Sequence, residues 1–277
     1  MIDNGCDVTN IIGVRRVSMD FDLKRMIDES TLKNREFSYL DILDKKVVNW
    51  KVDKKNQNTM EPDFTAEFVD VEELSEDQIL KRGAFSSKVV KAFLEVPRHH
   101  FVPTDLNKMA YEDAPLPIGL EQTISQPYVV AFMTESLDIK KSHRVLEVGT
   151  GSGYQTAILN QLCNFVYSIE IREELSWKAQ DLFTKMAIKG VNFKVGDGSL
   201  GWEEDAPFDR IIVTAAPKKL PEELLKQLAP SGKMIIPLGG NFQNLFLFEK
   251  NSKNDITQKL LLPVVFVPMI HDQIHKR

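Results

Sequence analysis

A glycine-rich turn stands near the middle of the chain, between an apolar segment and an amphipathic one. Residues 145–155 read VLEVGTGSGYQ, which is typical of a buried strand that runs into a tight turn and then into a helix. Glycines let a backbone approach a bound molecule closely, and the first turn of a helix offers unpaired N–H groups. We therefore expect a ligand at the carboxyl end of this strand.

The spacing of the glycines distinguishes between possible ligands. A dinucleotide fingerprint, G-x-G-x-x-G, requires a glycine at the sixth position counted from Gly149, and that position holds Tyr154. Glu147 lies just ahead of the turn, where a carboxylate would repel a pyrophosphate and attract the ammonium group of an amino-acid-like ligand. The pattern favours S-adenosylmethionine over a nicotinamide cofactor.

Two further acidic residues follow the next two predicted strands. Glu170 ends FVYSIE, where a carboxylate can accept hydrogen bonds from both hydroxyls of a ribose. Asp197 follows VNFKV and precedes Gly198, in a position to bind the amino group of an adenine. Each acid alone has an ordinary structural explanation, as a solvated strand end, a partner of a helix N-terminus or a turn residue. Three acids at three successive strand ends beside GTGSG together predict a nucleoside site.

Strands and helices alternate through the rest of the chain. The segments in order are RVLEV, YQTAILNQL, FVYSIE, REELSWKAQDLFTKMAIKG, VNFKV, RIIVT, PEELLKQLA, KMIIPL and NLFLFEK. Alternation at this spacing predicts βαβ units, and hence a doubly wound, mostly parallel α/β sheet with helices on both faces. The long helix is predicted to close at Gly190.

The segment ahead of the glycine turn contains three predicted helices and a loop. A capping-box sequence at residues 75–78, SEDQ, opens the first, and SSKVVKAFLEV forms the second. A proline-rich loop containing APLPIGL follows. The third helix, PYVVAFMTESL, begins after Ser125, which has the position of a helix N-cap.

Composition narrows the classes of protein that fit. The chain has 277 residues, 43% of them hydrophobic and 27% charged, with a net charge of −5. An acidic balance argues against nucleic acid as the main partner. Apolar runs of about 18 residues are absent, so we expect no membrane association. The two cysteines lie far apart, and none of the five histidines has metal-ligand spacing. These features predict a cytoplasmic protein without a metal, with His99 and His100 in a surface or interface turn. The absence of coiled-coil heptads favours a monomer.

Residues 1–74 differ from the rest of the chain in composition and in hydrophobic pattern. Charged residues are scattered through them and apolar residues are sparse and poorly periodic. We expect an N-terminal extension of unknown structure, either a small separate module or a partly ordered segment. Residues 75–277 are predicted to form a single methyltransferase domain.

Residues 75 to about 270 resemble the protein-L-isoaspartate O-methyltransferases, a family of class I S-adenosylmethionine-dependent enzymes. The motifs that carry the resemblance are VPRHHFVP, YEDAPLPIGLEQTISQPYVVAFMTE, VLEVGTGSGYQTAIL, GDGSLGW, FDRIIVTAAP and MIIPLG. The most specific is PLPIG followed by QTISQP, ahead of the glycine turn.

The resemblance implies methyl transfer from S-adenosylmethionine to the free α-carboxylate of L-isoaspartyl residues in damaged proteins or peptides, with S-adenosylhomocysteine as the second product. The ester would cyclise to a succinimide that reopens partly to aspartate. The family also implies an unusual order for the last strands of the sheet. The residues that the resemblance assigns to the cofactor are Glu147, Gly149, Thr150, Gly151 and Gly153, then Glu170 at the ribose, and Asp197 with Gly198 at the adenine. Those assigned to the substrate are Ile118, Thr123, Ile124 and the active-site serine, Ser125.

Other interpretations remain open at this level. Ser125 can serve as a helix N-cap as well as in catalysis. The domain can belong to a carboxyl methyltransferase dedicated to one partner that residues 1–74 recognise, or to a non-catalytic adaptor. A nicotinamide oxidoreductase is disfavoured by Tyr154.

Overall fold

The computed structural model describes residues 85–271 and, ahead of them, the backbone of four strands. The chain divides into two compact units, Met1–Asp77 and Gln78–Arg277. The strands of the first unit are β1 (Val14–Val17), β2 (Ser38–Tyr39), β3 (Lys46–Val52) and β4 (Phe64–Asp70). They form one antiparallel sheet in the order β1-β4-β3-β2. The helix predicted to begin at residue 75 lies outside the described residues.

The second unit contains two helices and a small hairpin ahead of its central sheet. Helix α1 spans Ser87–Glu95 and helix α2 spans Pro127–Ser136, so both predictions are confirmed. Where we expected a proline-rich loop, strands β5 (Leu116–Gly119) and β6 (Gln122–Ile124) pair antiparallel. The prolines led to the prediction of a loop, because proline has no N–H to donate to a neighbouring strand. A two-stranded hairpin tolerates proline at positions where no such hydrogen bond is needed.

Seven strands form the central sheet of the second unit. They are β7 (Arg144–Val148), β8 (Phe165–Glu170), β9 (Val191–Val195), β10 (Phe208–Val213), β11 (Leu228–Gly239), β12 (Gln243–Lys250) and β13 (Ile256–Val264). Their order is β13-β12-β11-β10-β7-β8-β9. Strands β7 to β11 pair in parallel, whereas β12 and β13 join antiparallel.

Helices cover both faces of this sheet, which explains why its inner strands are apolar at almost every position. The helices between the strands are α3 (Tyr154–Leu162), α4 (Glu173–Lys185) and α5 (Glu222–Lys226). Within β7, Val145 packs into one apolar cluster and the next residue, Leu146, into a second. The predicted doubly wound, mostly parallel fold is confirmed. Within the described residues, no helix has the length and apolar character needed to cross a membrane.

Strand β7 lies where the order of the parallel strands reverses. Its neighbours are β8 on one side and β10 on the other. The segments that leave β7 and β10 therefore diverge toward opposite faces, and a crevice opens between them at the carboxyl ends of the strands. The glycine turn directly follows β7, so the fold sets it at this crevice.

Three further elements differ from the sequence-based prediction. Helix α5 is shorter than the predicted PEELLKQLA, since Leu228 and Ala229 belong to β11. Helix α4 ends at Lys185 instead of reaching Gly190, because Ala187 adopts a φ of 55° and the N–H of Ile188 donates to the carbonyl of Phe183. This arrangement is a Schellman motif, in which alanine takes the place usually held by glycine. Strand β13 was not predicted, because its polar first half, ITQK, lies exposed at the edge of the sheet.

Candidate active site

A cleft opens at the carboxyl ends of β7, β8 and β10. We call it the central cleft. The sequence-predicted residues that line it are Thr123, Ile124, Ser125, Gly149, Thr150, Gly151, Glu170 and Gly198. The predicted residues that do not line it are Ile118, Glu147, Gly153 and Asp197.

Close packing explains two of the three glycines in the turn. A Cβ atom at Gly149, where φ is 100°, would lie 2.4 Å from Oγ1 of Thr214. A Cβ atom at Gly153, where φ is 87°, would lie 2.9 Å from the ring of Phe183 on α4. Gly153 therefore allows α3 to pack against α4, and its predicted contact with a ligand stays a prediction.

Gly151 lies under the hairpin of β5 and β6. The nearest atom to a Cβ built at this position is Cδ1 of Ile118, at 3.5 Å. Ile118 therefore covers the glycine turn from the hairpin side, although it does not line the central cleft. The hairpin brings the PLPIG motif to the predicted ligand site.

Glu170 links the end of β8 to the glycine turn. Its side chain is buried, and the residue is 6% exposed. Oε2 accepts a hydrogen bond from the N–H of Gly151 at 2.9 Å, and Oε1 accepts one from the N–H of Arg172 at 2.9 Å. A carboxylate has about four lone-pair positions, so two remain for a further pair of donors. This capacity matches the predicted binding of a ribose diol.

Glu147 does not have the position predicted for it. The residue is 0% exposed and does not line the central cleft. Its Oε2 accepts hydrogen bonds from Oγ1 of Thr156 at 2.5 Å and from Oγ of Ser168 at 2.6 Å. The structure corrects the predicted contact with a ligand ammonium group, because the side chain turns toward the first turn of α3, beneath the cleft.

Hydroxyl groups connect Glu147 to the glycine turn indirectly. Oγ of Ser168 lies 2.6 Å from Oγ1 of Thr150. Either of these two hydroxyls can be the donor in this contact. Oε1 of Glu147 has no partner within the described residues. Burial raises the pKa of Glu147 to about 8, so this carboxyl holds its proton at neutral pH.

Asp197 shapes the turn that follows β9. Its Oδ1 accepts hydrogen bonds from the N–H of Ser199 at 2.9 Å and from the hydroxyl of Ser199 at 2.7 Å. These bonds cap a short 3₁₀ turn, Gly198–Leu200, whose first residue lines the central cleft. Oδ2 of Asp197 lies 3.7 Å from Nδ1 of His271. The predicted contact of Asp197 and Gly198 with an adenine stays a prediction, and of the two only Gly198 lines the cleft.

Ser125 stands between the hairpin and α2. The N-cap of α2 is Gln126, and Ser125 has no hydrogen-bond partner within residues 85–271. The capping explanation for Ser125 is therefore wrong. Its hydroxyl remains available to a ligand in the central cleft.

A second depression adjoins the central cleft, and we call it the lateral groove. Four residues line both spaces, and they form the junction: Thr123, Ser125, Thr214 and Val267. The remaining residues of the groove include Pro115, Gln126, Tyr128, Leu262, Val265 and Phe266. Among the described residues that line the groove, none has a charged side chain. The groove therefore suits a neutral chain, and a group that passes into the cleft must pass the junction.

The segment after β13 closes one side of both spaces. The N–H of Ala216 donates to the carbonyl of Val267 at 2.8 Å, and the N–H of Met269 donates to the carbonyl of Ala216 at 2.9 Å. These bonds hold residues 267–270 against the end of β10, where they line the central cleft. Sequence reasoning missed this segment, since VFVPM resembles an ordinary apolar tail.

A buried polar cluster supports the cleft from the side of α1. Tyr154 lines the cleft, and Cζ of Arg98, a residue 1% exposed, lies 4.9 Å from its ring centroid. The guanidinium Nε donates to the carbonyl of Ala110 at 2.7 Å. His99, expected in a surface or interface turn, is buried, with Nδ1 2.8 Å from the hydroxyl of Tyr111. Burial lowers the pKa of His99 to about 3, so its ring is neutral.

The chemistry of the donor set suits an organic ligand. Within the described part of the chain, no three His, Cys, Asp or Glu side chains are grouped to hold a metal ion. The central cleft instead offers backbone groups of the glycine turn, a carboxylate with free lone pairs at Glu170 and a hydroxyl at Ser125. A nucleoside with an amino-acid tail fits these groups.

Sequence comparison places the chain among proteins of known type. A sequence model of the protein-L-isoaspartate(D-aspartate) O-methyltransferase family matches residues 70–274. The protein-L-isoaspartate O-methyltransferase of Dictyoglomus turgidum is 53% identical over 194 residues, which are 69% of this chain and 88% of that protein. The protein of the same name from Myxococcus xanthus is 48% identical over 197 residues, 70% of this chain and 93% of that protein.

Solved structures agree with the sequence comparison. A protein-L-isoaspartate O-methyltransferase superimposes with a TM-score of 0.62 at 32% identity, over 69% of this chain and 63% of that chain. A putative protein-L-isoaspartate O-methyltransferase from Plasmodium falciparum, solved in complex with S-adenosylhomocysteine, has a TM-score of 0.64 at 25% identity, over 72% of this chain and 98% of that chain. The resemblance inferred from the motifs is confirmed, and the chain belongs to the protein-L-isoaspartate O-methyltransferase family.

Proposed function

We propose that this protein transfers a methyl group from S-adenosylmethionine to the free α-carboxylate of L-isoaspartyl residues in damaged proteins or peptides. The observation that carries the proposal is the junction, where a nucleoside-type cleft meets a groove without charged side chains at the unpaired hydroxyl of Ser125. The ester product cyclises to a succinimide, which reopens partly to aspartate and so begins repair.

The residues of the central cleft fit S-adenosylmethionine. The two remaining lone-pair positions of the Glu170 carboxylate suit the ribose hydroxyls, and the backbone at Gly149 and Gly151 suits the methionine end. Gly198 borders the place for the adenine. When bound, this cofactor supplies an activated methyl group, whose bond to sulfur breaks with its electron pair left on sulfur as a carboxylate oxygen bonds to carbon.

Ser125 holds the substrate in this proposal. A carboxylate is already ionised at neutral pH, so the reaction requires no general base. Catalysis then depends on aligning one carboxylate oxygen with the methyl group in a site that excludes water. The hydroxyl of Ser125 donates to a substrate carboxylate oxygen and sets its direction, with Thr123 beside it and Ile124 buried behind.

The domain assignment is part of the proposal. We assign the catalytic machinery to residues 75–277 and treat residues 1–74 as an extension. Every residue of the central cleft and the lateral groove lies between residues 115 and 270, which supports this division. The comparisons give no support to the alternative of a methyltransferase dedicated to one partner. A cytoplasmic location, a monomeric state and the absence of nucleic-acid and membrane partners remain predictions of the sequence.

The test is methyl transfer from labelled S-adenosylmethionine to two peptides that differ only in carrying an isoaspartyl or an aspartyl linkage. We expect label on the isoaspartyl peptide alone, released by mild base as an ester would be. Equal labelling of both peptides, or of neither while the cofactor binds, would overturn the assignment to repair.

A further inference from the structure

Thr214 lies at the junction, and none of the roles described so far involves it. It directly follows β10 and lines both the central cleft and the lateral groove. Its N–H donates to the carbonyl of Val148 at 2.9 Å, in continuation of the parallel pairing between β10 and β7. The position of Thr214 at the junction is therefore set by the sheet.

The hydroxyl hydrogen of Thr214 is already used. Oγ1 lies 2.7 Å from the carbonyl oxygen of Gly149 and 3.1 Å from that of Val148. A carbonyl oxygen can only accept, and a threonine hydroxyl has one hydrogen and two lone pairs. The hydrogen is therefore shared between these two carbonyls, and toward any other group Thr214 Oγ1 can act only as an acceptor.

The two hydroxyls of the junction therefore have opposite polarity toward a ligand. Ser125 has no partner within the described residues, so its hydrogen is free to be donated to a carboxylate. Thr214 Oγ1 offers lone pairs, which repel a carboxylate but attract C–H groups that carry partial positive charge. A methyl group on a sulfonium is such a group, whereas the thioether product is neutral and has lost the methyl.

We propose that Thr214 is a specificity-determining residue, which favours the cationic methyl donor over the neutral thioether product through the lone pairs of its hydroxyl. The inference rests on the proposed function, because it assumes S-adenosylmethionine in the central cleft. Thr214 Oγ1 should therefore increase the affinity for the methyl donor relative to the affinity for the thioether product.

A purely structural role of Thr214 makes a different prediction. The hydroxyl also secures the carbonyl of Gly149, and a Cβ atom at Gly149 would lie only 2.4 Å from Oγ1. Loss of the hydroxyl can therefore shift the glycine turn, which would weaken donor and product alike. The ratio of the two dissociation constants separates selectivity from structural support.

The experiment measures dissociation constants for S-adenosylmethionine and S-adenosylhomocysteine by calorimetry, in the full chain and in Thr214→Val, Thr214→Ala and Thr214→Ser. In the Val and Ala variants we expect the dissociation constant of S-adenosylmethionine to rise about two- to fivefold more than that of S-adenosylhomocysteine. Thr214→Ser retains the hydroxyl and should keep the wild-type ratio. The Ala variant guards against poor packing of Val.

Each remaining outcome is informative. An unchanged ratio in both Val and Ala variants, whether or not the two affinities fall together, would overturn the selectivity role. Binding of neither compound by the wild-type chain would instead overturn the proposed function. The inference would be supported if the wild-type chain binds both compounds and the preference for S-adenosylmethionine decreases only in the variants that lack the hydroxyl.

Discussion

The central cleft and the lateral groove meet at four residues, yet they are built on different principles. The cleft is formed by strand ends whose acids are buried and hydrogen-bonded to the backbone or to hydroxyls, as Glu147 and Glu170 are. The groove is formed by a hairpin, one face of α2 and the segment after β13, without charged side chains. The cleft is therefore suited to one defined ligand, whereas the groove is suited to many chain segments.

This contrast follows from how each space obtains its selectivity. A buried polar group that loses its partner costs about 1 to 3 kcal/mol, so a cleft with committed hydrogen bonds rejects ligands of the wrong shape. Neutral and apolar surfaces impose no such penalty on the sequence that they contact. A repair enzyme needs both properties, since its cofactor is constant while its damaged substrates vary.

The strongest test of the cleft concerns the buried acid beneath it. Because burial raises the folded-state pKa of Glu147 to about 8 from the ordinary value of 4.5, the folded chain keeps a proton that the unfolded chain loses. The resulting stabilisation is complete below pH 4.5 and is lost as pH rises to about 8. In this window we expect the free energy of unfolding to fall by up to about 1.4 kcal/mol per pH unit from this group.

Urea denaturation of the wild type, Glu147→Gln and the exposed control Glu121→Gln, from pH 5 to 8, measures this contribution. Glu147→Gln should show a shallower dependence on pH than the other two. Parallel curves for all three proteins would mean that Glu147 is not held protonated.

The second prediction tests the packing of the glycine turn. Gly149→Ala places a methyl group 2.4 Å from Thr214 Oγ1 at a φ of 100°. The backbone strain and the displacement of the turn together should raise the dissociation constant of S-adenosylmethionine about 100-fold. Calorimetric titration provides the measurement. Gly240→Ala, where a Cβ meets nothing within 4 Å, is the matched control, and equal affinities for both variants would contradict the prediction.

The third prediction tests the junction from the substrate side. Ser125→Ala removes the hydrogen that the substrate carboxylate needs, and kcat/KM for an isoaspartyl peptide should fall about 10- to 100-fold. The dissociation constant of S-adenosylmethionine should stay as in the wild type. Ser142→Ala, an exposed serine, controls for the substitution itself. Unchanged turnover in Ser125→Ala would remove this residue from the mechanism.

The smallest predicted effect concerns the charge-free groove. Val265 lines the groove and is 95% exposed, so Val265→Glu should fold normally and place a carboxylate near an anionic substrate. We expect KM for an isoaspartyl peptide to rise about three- to fivefold, and the rise to shrink in 0.5 M salt. Val265→Gln is the neutral control. A similar rise in KM for Gln would indicate a steric effect instead of charge repulsion.

Local sequence patterns predicted the elements around the glycine turn with high accuracy. Strand β8 and helix α3 have the bounds predicted from the sequence. An apolar run or an amphipathic stripe between turn residues is compatible with few other secondary structures. The hairpin of β5 and β6 and strand β13 were missed for the opposite reason. Their prolines and polar residues resemble loops, and pairing with a neighbouring strand decides their conformation.

Some residues of the site were predictable from the sequence and others were not. The positions of Gly149, Glu170 and Gly198 at the cleft followed from their places at strand ends, because parallel strands end at a common edge. Thr214 belongs to the motif FDRIIVTAAP, but the sequence gave it no role, and Val267 gave no signal. Their segments are distant from the glycine turn along the chain and meet it only in the folded protein.

The sequence by itself determined the alternation of strands and helices, the family and the chemistry of the cofactor side, because each depends on residues that are close neighbours along the chain. Only the tertiary structure decided that Glu147 lies beneath the cleft and that Gly153 serves helix packing. It also decided that Ser125 is not a helix cap and that Thr214 has its hydroxyl hydrogen committed. The direction of a side chain and the partner of each hydrogen depend on which segments pack together, and local sequence does not contain that information.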